Sequence, residues 1–173
     1  PSGWTSPTGN VTGNAITISQ GVFTLNTMTV KAAALDITVS TTPGLQNITA
    51  GAQDFTFANY QLNATQSGED VRFSSIPLKL TFATMVVTEV TSCQLFDGAT
   101  ALNTGSNVVT PAGATAADNT FTLDTSLTVP KGTIKTLALK CDLASTVSAG
   151  DTLSWGIQAT PTITVTGVTS SNE

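Results

Sequence analysis

The chain contains no histidine. That removes at once the commonest general base, the usual orienting member of a nucleophile triad and the commonest zinc ligand. Acid and base chemistry would then fall to eight aspartates and three glutamates, and two carboxylates flanking one bond are enough for glycoside hydrolysis. Asp54, Asp97, Asp118, Asp142 and Asp151, however, sit beside turn residues or at the ends of apolar runs, where Asp characteristically accepts backbone N–H groups. The acids therefore read as loop fasteners, and the chain is expected not to be an enzyme. The Glu69-Asp70 pair could join a third acid to hold calcium through oxygen, but a solvated turn ahead of the apolar run at Val71 accounts for it. No Gly-rich phosphate loop, EF-hand spacing or CxxC occurs, so neither a metal nor a cofactor is expected.

The two cysteines, Cys93 and Cys141, lie in apolar runs with matching parity, Cys93 with Leu95 and Cys141 between Leu139 and Leu143. Two core-facing cysteines on neighbouring or stacked strands can form a disulfide in an oxidising compartment, worth roughly 3–4 kcal/mol in the loop-closure picture. The alternative is two buried thiols acting as small hydrophobes, and the shared parity favours the bridge. Asn-x-Thr sequons begin at Asn10, Asn47 and Asn63, each near a loop or strand end. They are candidate glycosylation sites in a secreted chain, although a sequence this rich in Asn and Thr produces some by chance.

The elements that must position these residues are strands. Leu35, Ile37 and Val39 alternate with polar neighbours, as do Ile76, Leu78, Leu80 and Phe82, then Leu137, Leu139, Cys141 and Leu143, and then Leu153, Trp155, Ile157 and Ala159. Period-two alternation marks one buried face per strand, and no long stretch carries a helical period. Turn signals divide the runs at Pro43-Gly44, Ala50-Gly51, Ser67-Gly68, Asp97-Gly98, Pro111-Gly113, Pro130-Gly132 and Ala149-Asp151. Between Asp54 and Ala64 the phase slips from Phe55 and Phe57 to Tyr60, Leu62 and Ala64, which calls for a β-bulge or a strand that changes sheets. The expected fold is all-β, a two-sheet antiparallel immunoglobulin-like sandwich.

Composition agrees. Charged residues are 10% of the chain and threonine about a fifth; threonine suits a half-wet pleated surface, and few charges need desolvating at a contact between copies. With 40% hydrophobic residues and a mean hydropathy of +0.19, the chain is rich enough in apolar side chains to fold. The net charge of −5 and six scattered basic residues oppose nucleic-acid binding, and no apolar run approaches the length of a bilayer span, so no membrane insertion is expected. Pro1 is not an initiator, which points to a mature or excised chain.

Residues 1–33 differ from the rest. A Gly, Ser, Thr and Pro-rich opening leads to two short β patterns, Ala15 to Ser19 and Val22 to Val30. This stretch is read as an N-terminal β arm ahead of a sandwich domain covering residues 34–173. Its apolar residues Ile16, Ile18, Val22, Phe23 and Leu25 are candidates for a self-assembly strand inserted into a neighbouring copy.

The segments AGAQDFTFANYQLNATQSGEDVRF (Ala50 to Phe73), CQLFDGATAL (Cys93 to Leu102), LTVPKGTIKTLALKCDLA (Leu127 to Ala144) and SAGDTLSWGI (Ser148 to Ile157) together resemble a module repeated in bacterial cell-surface proteins of the S-layer, stalk and filament type. The resemblance spans about residues 35–165 and implies a surface location and a sandwich architecture, with no catalytic residues; the cysteines are not part of the pattern.

The expectation is a secreted, non-enzymatic structural subunit of an extracellular filament or surface layer, with copies of itself as partners. One alternative is a passive module of a larger surface protein. Another is a carbohydrate-binding or adhesin module, which would need an exposed aromatic platform. Only Trp4, Trp155 and Tyr60 are candidates for that, and parity places Trp155 and Tyr60 in the core.

Overall fold

The computed structural model describes residues 8–15, 26–158 and 163–171. Apolar alternation becomes strand at β1 (Asp36–Val39), β2 (Phe55–Asn63), β3 (Val71–Ala83), β4 (Val90–Asp97), β5 (Thr100–Ala101), β6 (Ala117–Val129), β7 (Ile134–Leu143), β8 (Thr152–Gly156) and β9 (Thr166–Gly167). Two antiparallel sheets result. One has the order β1-β2-β7-β4-β5; the other has β6-β3-β8, with β9 also paired to β3. The pairs β4/β5, β3/β6 and β2/β7 are nested in the chain, so the middle of the sequence is one long hairpin folded over onto itself. Among the described residues no helix is long and apolar enough to cross a membrane.

The core lies between the central strands. Leu137, Leu139, Cys141 and Leu143 of β7 face Val71, Phe73, Ile76, Leu78 and Leu80 of β3 as buried side chains of a single cluster. Burying each large aliphatic or aromatic side chain contributes roughly 1.5–3 kcal/mol. Tyr60 and Leu62 of β2, Val90 and Leu95 of β4, Phe121 and Val129 of β6 and Trp155 of β8 complete it. Phe121 meets Trp155 edge to face at 5.8 Å between ring centroids, a favoured aromatic geometry. Burial pushes the Tyr60 phenol above its ordinary pKa, and its hydroxyl donates to the Gly156 carbonyl at 3.4 Å, which links the two sheets.

The phase slip in β2 is a bulge. Register breaks between Thr56 and Ala58 against β7, which leaves Phe55 and Phe57 half-buried, in edge-to-face contact at 5.2 Å, on the opposite parity from Tyr60 and Leu62. β4 carries a second bulge, between Thr91 and Gln94 against β7. There Ser92 takes a left-handed φ of 54°, a conformation that side chains with a Cβ rarely adopt.

Asn103 caps the other edge of β4 beside this bulge. It is fully buried. Its side chain accepts the Leu95 N–H at 2.7 Å and donates to the carbonyls of Asn107 at 2.9 Å and Cys93 at 3.3 Å. On this edge of β4 the Leu95 carbonyl accepts the Leu102 N–H, and the buried Leu95 amide, beyond the end of β5, takes the Asn103 side chain as its partner. Asp124, midway along β6, clasps the same loop from the other sheet. It accepts from the Thr104 hydroxyl, the Thr104 amide and the Asn107 side chain at 2.7, 3.0 and 2.8 Å.

The turn at Ser67-Gly68 docks the chain that precedes β1. Gly68 N–H donates to the Ala32 carbonyl at 3.0 Å, and the Ala34 amide donates to the Ser67 hydroxyl at 3.2 Å. A Cβ on Gly68 would lie 2.5 Å from the Lys31 carbonyl oxygen, so only glycine permits this approach. The segment that follows β9 ends on the same turn, where Glu69 accepts from the Thr169 and Ser170 amides at 2.6 and 2.8 Å.

Replacing Asn103 with Ala is expected to cost about 3 kcal/mol, the scale of leaving buried backbone groups unpaired, seen as a lower urea midpoint at unchanged slope. Hydrogen bonds hold two exposed carboxyls below the usual range: from the Ser170 hydroxyl and amide, then Thr169, for Glu69, and from the Thr104 hydroxyl, the Asn107 side chain and the Thr104 amide for Asp124. A depressed folded pKa gives stability that is complete above the unfolded value, about 4, and is lost as pH falls through the folded one. Thermal midpoints are therefore expected to fall below about pH 4, with a shallower acid limb in a Glu69→Gln, Asp124→Asn variant.

Candidate assembly surface

The acids singled out in the sequence divide between those that accept loop amides and those that bond side chains. Asp142 accepts the Asp54 amide at 2.8 Å, and Asp151 accepts the Thr84 hydroxyl at 2.5 Å and the Ser148 amide at 3.0 Å. Asp97 pairs with Lys135 at 2.6 Å, and Asp118 accepts from the Gln158 side chain. Glu69 holds the C-terminal turn as described, and Asp70 accepts the Lys131 amide at 2.9 Å. Among the described residues no three His, Cys, Asp or Glu gather where a metal ion could be held.

Cys93 and Cys141 form a disulfide, with Cα atoms 4.1 Å apart. The bridge joins adjacent strands of one sheet rather than the two sheets, and it sits at the β4 bulge, where Ser92 and Cys93 oppose Cys141 between the pairs Thr91/Asp142 and Gln94/Lys140. Both cysteines are fully buried. On its other side Cys93 exchanges backbone hydrogen bonds with Val109, at 2.7 and 3.0 Å. Asn10 is exposed on a turn and Asn47 is exposed in irregular chain, whereas Asn63 is half-buried at the end of β2 and accepts from the Thr65 amide and hydroxyl at 2.9 and 2.6 Å.

Of the arm, Ile16, Ile18, Val22, Phe23 and Leu25 lie outside the described residues, as does Trp4. Thr8 pairs with Ala15 around a turn closed by Gly9 and Asn14, and this turn makes no hydrogen bond to any other described part of the chain. Of the β pattern at Val22 to Val30, the described part, Asn26 to Val30, is not strand. Val11, Met28 and Val30 are 97%, 84% and 96% exposed. Without a paired edge beside it, an alternating segment has no ladder to join.

The feature that sequence reasoning missed is a groove at the side of the sandwich where β8 faces β1 and β2. It encloses about 280 Å³. Its walls include Val39, Leu45, Ile48, Phe57, Leu153 and Trp155, and none of its lining residues is charged. Val39, expected on the buried face, is 39% exposed at this opening, and Leu45 is fully exposed. The Trp155 indole N–H is buried without a hydrogen-bond acceptor. Among the described residues β8 pairs only with β3, and none of them pairs with the strand edge beside the groove. The off-parity Phe55 and Phe57 were the signal for it, since the bulge brings Phe55, opposite Cys141, back to the face that Tyr60 shares with Leu137.

Comparison with protein-family models, with curated proteins and with solved structures found no match.

Alkylation of the unfolded, unreduced protein is expected to label no cysteine, and both after reduction. Replacing Cys93 and Cys141 together with Ala is expected to lower stability by about 4 kcal/mol, the loop-closure value for a 48-residue separation, measured by urea denaturation.

Proposed function

We propose that the chain is a non-enzymatic structural subunit of an extracellular filament or surface layer, and that it joins copies of itself by strand complementation through residues 1–33. The observation that carries this reading is the N-terminal segment. It holds no charged residue before Lys31, and at Val11, Met28 and Val30 it presents large apolar side chains to solvent. Burying each such side chain returns roughly 1.5–3 kcal/mol, and burial against the next copy supplies that gain at every subunit of a polymer. A head-to-tail contact that does not close into a ring propagates into a fibre.

Several features support the rest of the reading. The order β1-β2-β7-β4 is that of the A-B-E-D sheet of an immunoglobulin-like sandwich, with β5 and β6 as additions between β4 and β7 in the chain. The disulfide suits an oxidising, extracellular setting, and sequons at exposed Asn10 and Asn47 suit a secreted surface. The absence of histidine and the use of acids as loop fasteners support a structural role over a catalytic one. The carbohydrate-binding alternative is weaker, because Tyr60 and Trp155 are both buried.

Negative-stain electron microscopy of the full chain at high concentration is expected to show ordered filaments or sheets. Removing residues 1–30, which leaves the Lys31 to Ala34 docking in place, is expected to abolish them; ordered polymers from the shortened chain would refute the role of the arm.

A further inference from the structure

The outer edge of β8, which no strand among the described residues pairs, and the groove beneath it have the two properties of a strand acceptor. The edge offers backbone groups without a strand partner among the described residues, and such groups add a strand through main-chain hydrogen bonds. The groove offers an apolar hollow on the inward side of that edge. Its volume of about 280 Å³ is nearly twice the ~150 Å³ of an apolar cavity that takes up one benzene, room for two side chains rather than one. A strand puts two side chains on one face at every i, i+2 pair, roughly 6.6 Å apart.

The arm supplies such a pair at Ile16 and Ile18. Groove and arm also match in charge. The groove lining has no charged residue and the chain has none before Lys31, so no ion must be stripped of water when they meet. The turn at Thr8 to Ala15, which precedes Ile16 in the chain, makes no hydrogen bond to the rest of the described residues. From this we infer that the β8 edge and the groove lined by Leu45, Phe57, Leu153 and Trp155 are the acceptor site for Ile16 and Ile18 of a second copy of this chain. The inference rests on the self-assembly reading above and names the surface it uses.

The parity of β8 sets the expected register. Leu153 and Trp155 face inward while Ser154 is exposed. With Ile16 and Ile18 inward beside them, Thr17 faces outward on the same side as Ser154, and side chains directly across two paired strands have Cβ atoms roughly 4.5–5.5 Å apart.

That register can be tested by disulfide trapping between two full-length proteins. Thr17→Cys in one and Ser154→Cys in the other leave each with a single added thiol, so only a link between molecules can join them. Mild oxidation of the mixture is expected to give a reducible heterodimer in at least about tenfold higher yield than Thr17→Cys mixed with Thr122→Cys, which places the thiol on β6, an edge strand of the same sheet. A chain carrying both Thr17→Cys and Ser154→Cys should give a ladder of linked multimers.

Equal or greater trapping at position 122, or a doubly substituted chain that closes only on itself as a monomer, would overturn the assignment. Leu45→Glu, at a fully exposed position, should leave the thermal midpoint unchanged while raising the concentration needed for assembly by about tenfold or more, since a charge at the groove mouth must then be desolvated. Unchanged assembly of that variant would also count against the groove. Filaments from the unmodified chain without trapping at 154 would move the acceptor elsewhere and leave the structural role standing; no polymers at all would remove both.

Discussion

The alternation of side chains along β3 and β7 governs the sandwich, because these two strands are central in their sheets and every other pairing is counted from them. β7 sets the register of β2 and β4, and β3 sets that of β6, β8 and β9. A slip of one residue in either would turn Leu137 and Leu139, or Leu78 and Leu80, out to solvent together. The three register breaks, at Phe57, at Ser92-Cys93 and near Ser74, are therefore local. Each shifts the phase of one strand, and the buried face resumes beyond it.

Much of this was legible in the chain. The strands follow from alternation because the period of side chains is a property of the backbone, independent of what lies across the sheet. The β2 bulge was legible for the same reason: Phe57 and Tyr60 cannot share a face without an extra residue between them. The disulfide could be read from parity, but its placement within one sheet could not, because parity does not tell a neighbouring strand from a stacked one. The roles of Asn103 and Asp124 were not legible. Asn103 looks like any loop asparagine, and only the end of the two-residue β5 leaves the Leu95 amide on that edge for it to satisfy.

The groove escaped for a related reason. It forms where the segment from Ser40 to Ile48, the displaced rings of β2 and the edge of β8 come together, three pieces separated by up to about a hundred residues. None is unusual in sequence. The acids, by contrast, were read at the level of the turn: Asp142 and Asp151 do accept loop amides, whereas Asp97 and Asp118 bond the side chains of Lys135 and Gln158, distant in the chain.

The bridge between Cys93 and Cys141 has a mechanical consequence. Its two cysteines are 48 residues apart, and between them lie β5, all of β6 and most of β7. If the chain is drawn out under force, tension crosses from one cysteine to the other through a covalent bond, and the backbone between them stays slack. At about 3.3–3.6 Å per extended residue, roughly 160 Å of contour length is withheld from extension. Stretching such a subunit to failure would release only the segments outside that ring, so its yield in length is short for its size.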